Sequence, residues 1–433
     1  MALANFISTR DPALRAGFSR ALLQGIAPDG GLYVPAQWPR FDAQWPAHAG
    51  LPAIAASLLQ PLLEGDPLAP ALPDVASEAF DFPAPLVPLT PDGRLSVLEL
   101  FHGPTAAFKD FGARFLAACL ARIPRPDSRP LTILVATSGD TGGAVAAAFH
   151  GRPGIEVVVL FPQGLVSPTQ ERQLTCWGGN VRSFAVRGTF DDCQRLVKAA
   201  FRDPVVLRRR ELSSANSINL GRLLPQSVYY AAASLAVWRT HGERVSFVVP
   251  SGNLGNVVAC IWARRLGLPI GDIVLAHNAN RTVPDFLATG EWRPRPSIAT
   301  LASAMDVGDP SNAERLKVMY PDLAALRAAV SADTVDDTAI RARIRDGFER
   351  FGQIWCPHTA TGAEAWSRLP DERRKNARWI LVATAHPAKF PDIVEPIVGR
   401  TIPVPHVLAR LLDRPAACQA IDADLDALRH ALD

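Results

Sequence analysis

Short apolar runs recur along the chain from about residue 95 onward, and each leads into a small-residue loop and then helically spaced apolar positions. Such runs, rich in Val, Ile and Leu, are typical of strands buried on both faces of a parallel sheet. The predicted strands are Leu131 to Ala136, Ile155 to Phe161, Val245 to Val249, Ile273 to Ala276 and Trp379 to Thr384. Because strands alternate with helices, we expect right-handed crossovers and an open α/β sheet covered on both faces.

Two of these strands lead into loops rich in glycine and polar residues, at 137–143 and 251–256. The repetition predicts two α/β halves facing a shared cleft, where folds of this class bind ligands. The N-terminal part differs: it is rich in Pro, Ala and Leu and ends in a proline-dense linker or edge segment, Pro83 to Pro91. We therefore divide the chain into an N-terminal region (1–85), a first α/β domain (86–240) and a second α/β domain (241–433).

Lysine is rare in this chain, which carries nearly all of its positive charge as arginine; the five lysines are Lys109, Lys198, Lys317, Lys375 and Lys389. An amine can lose its proton and form a Schiff base, whereas a guanidinium group cannot. Apolar residues recur at helical spacing from Phe108 to Cys119, which places Lys109 in the first turns of a helix. An apolar surround and the helix N-terminus would both lower its pKa and activate it as a nucleophile. The alternative is a lysine whose stem lies along a core helix while its charge stays in water.

The loop after the strand Val245 to Val249 contains Gly252, Asn253, Leu254, Gly255 and Asn256 and opens a helix. Converging backbone amides at a helix N-terminus suit a phosphate group. A tight strand-to-helix turn without a ligand would use the same residues. The loop lacks the Gly-Lys-Ser/Thr of a nucleotide P-loop and the G-x-G-x-x-G of a dinucleotide site.

Three further polar segments are candidates for ligand binding. Residues 137–143, which include Ser138 and Thr141, could bind a carboxylate or a phosphate, or could simply cap a helix. Residues 213–222 combine uncharged hydrogen-bonding side chains with Arg222, which suits a small anion; the alternative is a polar loop that caps the following helix. Thr384 ends the last strand, where its hydroxyl could meet a ring nitrogen, although threonine is also common at strand ends without such a role.

Composition and charge narrow the class of protein. The net charge of +3 over 433 residues and the absence of a long basic block argue against a nucleic-acid partner. No apolar run reaches membrane-spanning length, and the N-terminus lacks a secretory pattern. The six cysteines form no C-x-x-C pair and the nine histidines form no metal-ligand cluster. These features predict a cytoplasmic protein with reduced thiols, no metal and no membrane partner.

Taken together, the ordered motifs resemble those of the threonine synthase family, pyridoxal-phosphate enzymes of the tryptophan-synthase-β-like fold. The segments that carry the resemblance are Ser8 to Arg10, Ala27 to Pro35, His102 to Phe115, Ala136 to Gly143, Asn216 to Asn219, Pro250 to Asn256, Ala304 to Val307 and Thr384 to Phe390. The resemblance spans most of the chain and is to the longer, bacterial and fungal branch. It implies two α/β domains of fold type II with an N-terminal extension domain. Leu254 departs from the family, which often has Phe there.

The resemblance also implies roles for individual residues. Lys109 would form the Schiff base with pyridoxal phosphate, the amides of residues 252–256 would hold the cofactor phosphate, and Thr384 would bind the pyridine nitrogen. Asp140 stands where related enzymes often place Asn beside the phenolic oxygen, so its carboxyl group should be protonated or turned away. The residues implied for the substrate phosphate are Arg114, Ser213, Asn216, Ser217, Asn219 and Arg222, and those for its carboxylate are Ser138 and Thr141.

The implied reaction converts O-phospho-L-homoserine and water to L-threonine and phosphate by γ-elimination and β-addition of water. The alternatives on the same fold are a phospholyase that yields 2-oxobutyrate and a serine/threonine dehydratase. An alternative of a different class is a non-catalytic binding protein that has kept the scaffold. The resemblance to the long branch implies a monomer, with a homodimer as the alternative.

Overall fold

The computed structural model describes residues 5–41, 49–125, 129–137 and 139–432. Within these residues the strands are β1 Phe6–Ser8, β2 Arg15–Ala16, β3 Tyr33–Pro35, β4 Leu86–Pro88, β5 Leu95–Glu99, β6 Leu131–Ala136, β7 Ile155–Pro162, β8 Val181–Arg187, β9 Glu211–Ser213, β10 Val245–Pro250, β11 Ile270–His277, β12 Ser331–Thr334, β13 Arg378–Ala383 and β14 Gln419–Asp422. The strands β6, β10 and β13 are buried along their whole length, as expected for continuous apolar runs.

Helices cover the sheets and fill the connections. In the first half of the described chain they are α1 Phe18–Gln24, α2 Leu51–Leu59, α3 Leu72–Ala79, α4 Lys109–Leu120, α5 Asp140–Phe149, α6 Pro168–Thr175, α7 Phe190–Ala200, α8 Pro204–Arg209, α9 Leu220–Leu223 and α10 Ser227–His241. In the second half they are α11 Gly255–Arg265, α12 Thr282–Thr289, α13 Ala313–Met319, α14 Leu323–Ala329, α15 Asp337–Phe351, α16 Pro357–Ser367, α17 Asp371–Lys375, α18 Pro391–Val398, α19 His406–Leu412 and α20 Leu425–Leu432. Short 3-10 turns lie at Gln60–Leu63, Ala69–Ala71, Leu224–Gln226, Ser303–Met305 and Pro387–Lys389.

The strands form three sheets, two of which are α/β sheets. One α/β sheet has the order β14-β8-β7-β6-β9, and each pair of neighbouring strands in it is parallel. The other has the order β12-β11-β10-β13-β5-β4, and it is parallel except for the antiparallel edge strand β4. A small antiparallel sheet, β2-β1-β3, lies in the N-terminal region. The architecture is therefore the expected pair of open α/β sheets with an additional N-terminal unit.

The sheets do not follow the sequence division at residues 85 and 240. Strands β4 and β5 precede the first α/β sheet in the chain, yet β5 pairs with β13 in the second. Near the C-terminus, β14 returns to pair with β8 of the first sheet. Both strands lie at or next to the edge of a sheet whose other strands are distant in sequence, and such pairing leaves no local signal in the sequence. Each α/β unit is thus discontinuous in the chain.

The carboxyl ends of strands from the two α/β sheets approach each other, because Asp140 at the start of α5 pairs with Lys389 in the turn after β13. Helix α5 begins shortly after β6, α11 begins after β10, and Thr384 directly follows β13. Open α/β sheets bind ligands outside the carboxyl ends of their strands. In the part of the chain that the structure describes, no helix is both long and apolar enough to cross a membrane.

Candidate active site

Lys109 is the first residue of α4, which confirms the predicted helix start. The loop before it is held by Asp110, whose carboxylate accepts hydrogen bonds from the Thr105 amide at 2.8 Å and the Thr105 hydroxyl at 2.6 Å. The same loop is joined to the end of β13, because the Phe108 amide donates to the Thr384 carbonyl at 2.8 Å. Burial lowers the pKa of Lys109 to about 8. The position of the amine at the helix start and its lowered pKa are the two features that a lysine nucleophile requires.

The glycine-rich loop places backbone amides at the start of α11. Leu254 adopts φ +64°, in the left-handed region that a leucine rarely enters. A Cβ at Gly252 would lie 2.7 Å from the Cα of Met305. The backbone at Met305 therefore packs directly against this loop, and only glycine fits at position 252. The first amides of a helix have no acceptor within the helix, and here they are available to an anion. A strained backbone of this kind is common at ligand sites.

Side chains around the loop fix its shape. The Asn253 amide group donates to the Ser217 hydroxyl at 2.7 Å and its carbonyl oxygen accepts from the Ser311 amide at 2.6 Å. The Asn256 side chain points into the protein, where Tyr229 and Tyr230 donate to its oxygen at 2.5 and 2.8 Å. Asn256 can therefore serve a phosphate through its backbone amide, while its side chain is structural.

The segment 213–222 adjoins the glycine-rich loop through Ser217, and its other polar residues divide into two groups. Asn219 caps α9 and also donates to the carbonyls of Leu22 and Ser214, so its side chain is fully engaged. By contrast, the Ser213 hydroxyl, the Asn216 carbonyl oxygen and the Arg222 Nε are buried without a hydrogen-bond partner among the described residues. Arg222 is buried, which lowers its pKa to about 10, and its guanidinium group donates to the Ala215 carbonyl.

Of the other predicted substrate residues, Arg114 is engaged away from this arrangement. Arg114 points toward the N-terminal region, with an ion pair to Asp81 at 2.6 Å and a hydrogen bond to the Glu78 carbonyl at 2.5 Å. A substrate contact by Arg114 would require these bonds to be exchanged. Thr141 lies in the first turn of α5, where its side chain is half-buried, and Ser138 is outside the described residues.

The sequence analysis missed a buried partner of Asp140. Lys389 is fully buried, and its Nζ lies 2.7 Å from Asp140 Oδ1. Burial alone would raise the pKa of Asp140, but Lys389 and Lys109 hold it well below its usual range. Lys389 therefore favours an ionised Asp140 over the protonated form expected from the sequence, and the carboxylate faces Lys389 and Gln170. The scarcity of lysine, which identified Lys109, could have identified Lys389 as well.

His358 is a second residue that the sequence analysis did not select. Its Nε2 accepts a hydrogen bond from the Ala304 amide at 3.0 Å, so the imidazole is held in one tautomer beside the segment that presses on Gly252. Burial lowers the pKa of His358 to about 4, which leaves it neutral near physiological pH. No sequence pattern marks this residue, because its position depends on the packing of α16 against the second sheet.

Comparisons with known proteins identify the family of this chain. A family model for pyridoxal-phosphate dependent enzymes matches residues 81–385, and models for the threonine synthase N terminus and C-terminal part match residues 5–80 and 359–432. The threonine synthase of Serratia marcescens is 40% identical over 431 residues, covering 98% of this chain and 97% of that protein. That of Escherichia coli is 38% identical and covers 97% of each chain.

Solved structures show the same relationship. The crystal structure of threonine synthase from Escherichia coli superposes with a TM-score of 0.89 at 37% identity and covers 99% of each chain. The pyridoxal-phosphate-bound threonine synthase from Brucella melitensis superposes with a TM-score of 0.90 at 35% identity, covering 99% of this chain and 98% of that one. The fold and the site therefore define a pyridoxal-phosphate-dependent enzyme of fold type II. Within that class, the chain belongs to the threonine synthase family.

The residues of this chain fit that cofactor. A lysine with a lowered pKa suits the aldehyde, and the backbone amides at the start of α11, in a loop where only glycine fits at position 252, suit the phosphate. Thr384 lies at the end of β13, joined through its carbonyl to the loop that carries Lys109, and offers a neutral hydroxyl. Lys109 begins the helix α4, the glycine-rich loop follows β10 of the second α/β sheet, and Thr384 follows β13 of the same sheet.

Proposed function

We propose that this chain converts O-phospho-L-homoserine and water to L-threonine and phosphate, with Lys109 as the residue that binds the cofactor and moves protons. The observation that carries the proposal is the amine of Lys109, held at the start of α4 with its pKa lowered by burial to about 8. Relative to an amine at the ordinary value of 10.5, the neutral fraction near pH 7 is roughly 300-fold larger. A neutral amine can attack the cofactor and can later accept the substrate's Cα proton.

The remaining groups are proposed to bind and orient. When bound, pyridoxal phosphate supplies an electron sink that stabilises negative charge on the carbons next to the substrate's amino group. The amides of residues 252–256 hold the cofactor phosphate, and the hydroxyl of Thr384 hydrogen-bonds the ring nitrogen. A neutral hydroxyl at that position makes no ion pair with the ring, unlike a carboxylate.

The substrate's own anionic groups are assigned to two segments. We propose Ser213, Asn216, Ser217 and Arg222 for the substrate phosphate, supported by two unpartnered donors, the Ser213 hydroxyl and the Arg222 Nε, and by the buried positive charge of Arg222. Asn219 would act by capping α9 under this site. The further proposed substrate residues are Arg114 for the phosphate and Ser138 and Thr141 for the carboxylate.

The test combines a spectrum with product analysis. The purified protein with pyridoxal phosphate should show a visible absorption band, and addition of O-phosphohomoserine should release phosphate and threonine in equal amounts. Lys109→Ala and Lys109→Arg should each lose the band and about a thousandfold or more of the turnover, because neither side chain can form a Schiff base. Near-normal turnover in Lys109→Ala would overturn the mechanism. Release of 2-oxobutyrate would instead identify the phospholyase, and the lack of any band would favour the non-catalytic alternative.

We also propose that the enzyme is a monomer and works in the cytoplasm. The resemblance to the long branch of the family supports the monomer, and light scattering of the purified chain would test it. All six cysteines are free thiols, five of them buried, which suits a reducing compartment. Cell fractionation would test the location.

A further inference from the structure

The ion pair between Lys389 and Asp140 lies wholly inside the protein. Lys389 ends the 3-10 turn that follows β13, and Asp140 begins α5, so the pair joins the carboxyl edges of the two α/β sheets. The ammonium group lies 2.7 Å from Asp140 Oδ1 and also donates to the Thr105 carbonyl at 3.0 Å. Asp140 Oδ1 accepts a second hydrogen bond, from Gln170 at 3.1 Å. The position of both charges is thereby fixed beside the loop that carries Lys109.

Stability does not account for such a pair. Removing two charges from water costs several kcal/mol per ion, and well-packed apolar residues in place of a buried ion pair often leave a protein as stable or more so. Most ion pairs elsewhere in the described structure involve partly exposed side chains, whereas Lys389 and Asp140 are 0% and 4% exposed. A costly pair next to a reactive amine points to an electrostatic role at that amine.

The charges around Lys109 show what that role is. Besides burial, Asp140 acts to raise the pKa of Lys109, whereas Arg222 and Lys389 act to lower it. His358 stays neutral because burial lowers its pKa to about 4. The neighbouring carboxyl group of Asp110 is occupied by Thr105. Without the positive charge of Lys389, Lys109 would be the remaining lysine near the buried Asp140 carboxylate. The carboxylate would then stabilise the protonated form of Lys109.

We propose that Lys389 is a positioning residue that neutralises Asp140 and so leaves the Lys109 amine free to lose its proton. The inference rests on the proposed function, because it explains how the amine used there becomes available. Lys389 touches neither substrate nor cofactor in this role; it acts through Asp140. The proposal also explains how an ionised aspartate is tolerated next to a lysine that must become neutral.

The test measures the Lys109 amine directly in the full-length, cofactor-free chain. Competitive labelling with a small acylating reagent, read by mass spectrometry over about pH 6 to pH 10, gives the pH midpoint of Lys109 reactivity. Lys389→Met keeps the length of the side chain and removes its charge. It should move the midpoint upward and slow the labelling of Lys109 about tenfold near pH 7, since a nearby opposite charge shifts a pKa by about one unit or more. Lys375→Met, at a surface lysine that is 77% exposed, should leave the midpoint unchanged.

A second variant separates this electrostatic role from a structural one. Lys389→Met combined with Asp140→Asn removes both charges, so the midpoint of Lys109 should return to the parental value or fall below it. If Lys389→Met alone fails to fold, Asp140→Asn alone is measured instead. The pH midpoint of Lys109 in that variant should not exceed the parental value. An unchanged midpoint in folded Lys389→Met, or a raised midpoint in a variant without Asp140, would overturn the proposal. Because labelling needs no turnover, these outcomes are independent of whether the proposed reaction occurs.

Discussion

Gly112, one turn after Lys109, allows α4 and α9 to pack in direct backbone contact. A Cβ at this position would lie 3.1 Å from the carbonyl carbon of Arg222 and 3.2 Å from its Cα, and it would overlap the carbonyl oxygen. These are backbone atoms, so no side-chain rotation relieves the overlap. Gly112→Ala must therefore separate the helix that begins at Lys109 from the segment proposed to bind the substrate phosphate.

Two opposing effects set the size of the change in stability. Alanine is about 1 kcal/mol better than glycine in a helix interior, whereas overpacking of a filled site costs about 1–3 kcal/mol. Because the obstacle is rigid, we take the upper end of the cost and expect a net destabilisation of ~2 kcal/mol. With an unfolding entropy of about 2.1 cal/mol/K per residue over 433 residues, this corresponds to a fall in Tm of about 2 °C. A displacement of Lys109 by about 1 Å can cost up to about a hundredfold in rate, so kcat/KM should fall at least tenfold.

The assay compares Gly112→Ala with Gly362→Ala by calorimetry and by threonine formation. Gly362 also lies inside a helix, α16, but a Cβ there would meet Pro250 Cγ at 3.5 Å, an ordinary contact. Gly362→Ala should therefore melt at or slightly above the parental temperature with parental kcat/KM. If Gly112→Ala behaves in the same way, the α4–α9 contact is not rigid and the reasoning is refuted.

Two other predictions concern a buried histidine and the cofactor ring. Burial lowers the pKa of His277 from 6.5 to about 3, so between these values the unfolded chain binds a proton that the folded chain does not. The free energy of unfolding should therefore fall as pH drops below 6.5, and this group should contribute up to about 1.4 kcal/mol per pH unit. His277→Asn should weaken the pH dependence of the urea midpoint between about pH 6 and pH 4. An equally steep dependence in the variant would contradict the assignment. Thr384→Val should weaken pyridoxal-phosphate binding about five- to tenfold, the value of one hydrogen bond, without changing the melting of the cofactor-free protein. Unaltered affinity by titration would argue against the role of Thr384.

The sequence predicted the central strands best. The predicted run Leu131 to Ala136 coincides with β6, and Ile155 to Phe161 falls one residue short of β7. Strands buried on both faces must be apolar throughout, and that requirement is visible locally. Strand β8 was not predicted because Arg182 and Arg187, which are partly or fully exposed, interrupt its apolar pattern. Strand β14 is short and mostly exposed, and its place is set by pairing with β8.

The candidate site was predictable where one residue type carried the signal. The scarcity of lysine and the helical spacing after it identified Lys109, and glycines after a strand identified the 252–256 loop. The ion pair of Asp140 with Lys389 could not be read from either segment alone, since it exists only once the two sheets come together. For the same reason, the sequence could not separate Asn219, whose side chain supports the fold, from Arg222, whose Nε is left without a partner.

The N-terminal region is part of the framework of the site rather than an appended domain. Arg315, fully buried on α13, donates to the carbonyl of Tyr33 at 3.0 Å and to the carbonyl of Ile218 at 2.8 Å. It also donates to Asn312, whose amide group reaches the carbonyl of Asn253 at 2.9 Å. One arginine thus links a strand of the N-terminal sheet to both loops proposed to bind phosphate groups. Burial already disfavours the charge of Arg315 and lowers its pKa to about 9. Loss of the Tyr33 carbonyl would leave a buried donor of Arg315 unpaired and would loosen both loops.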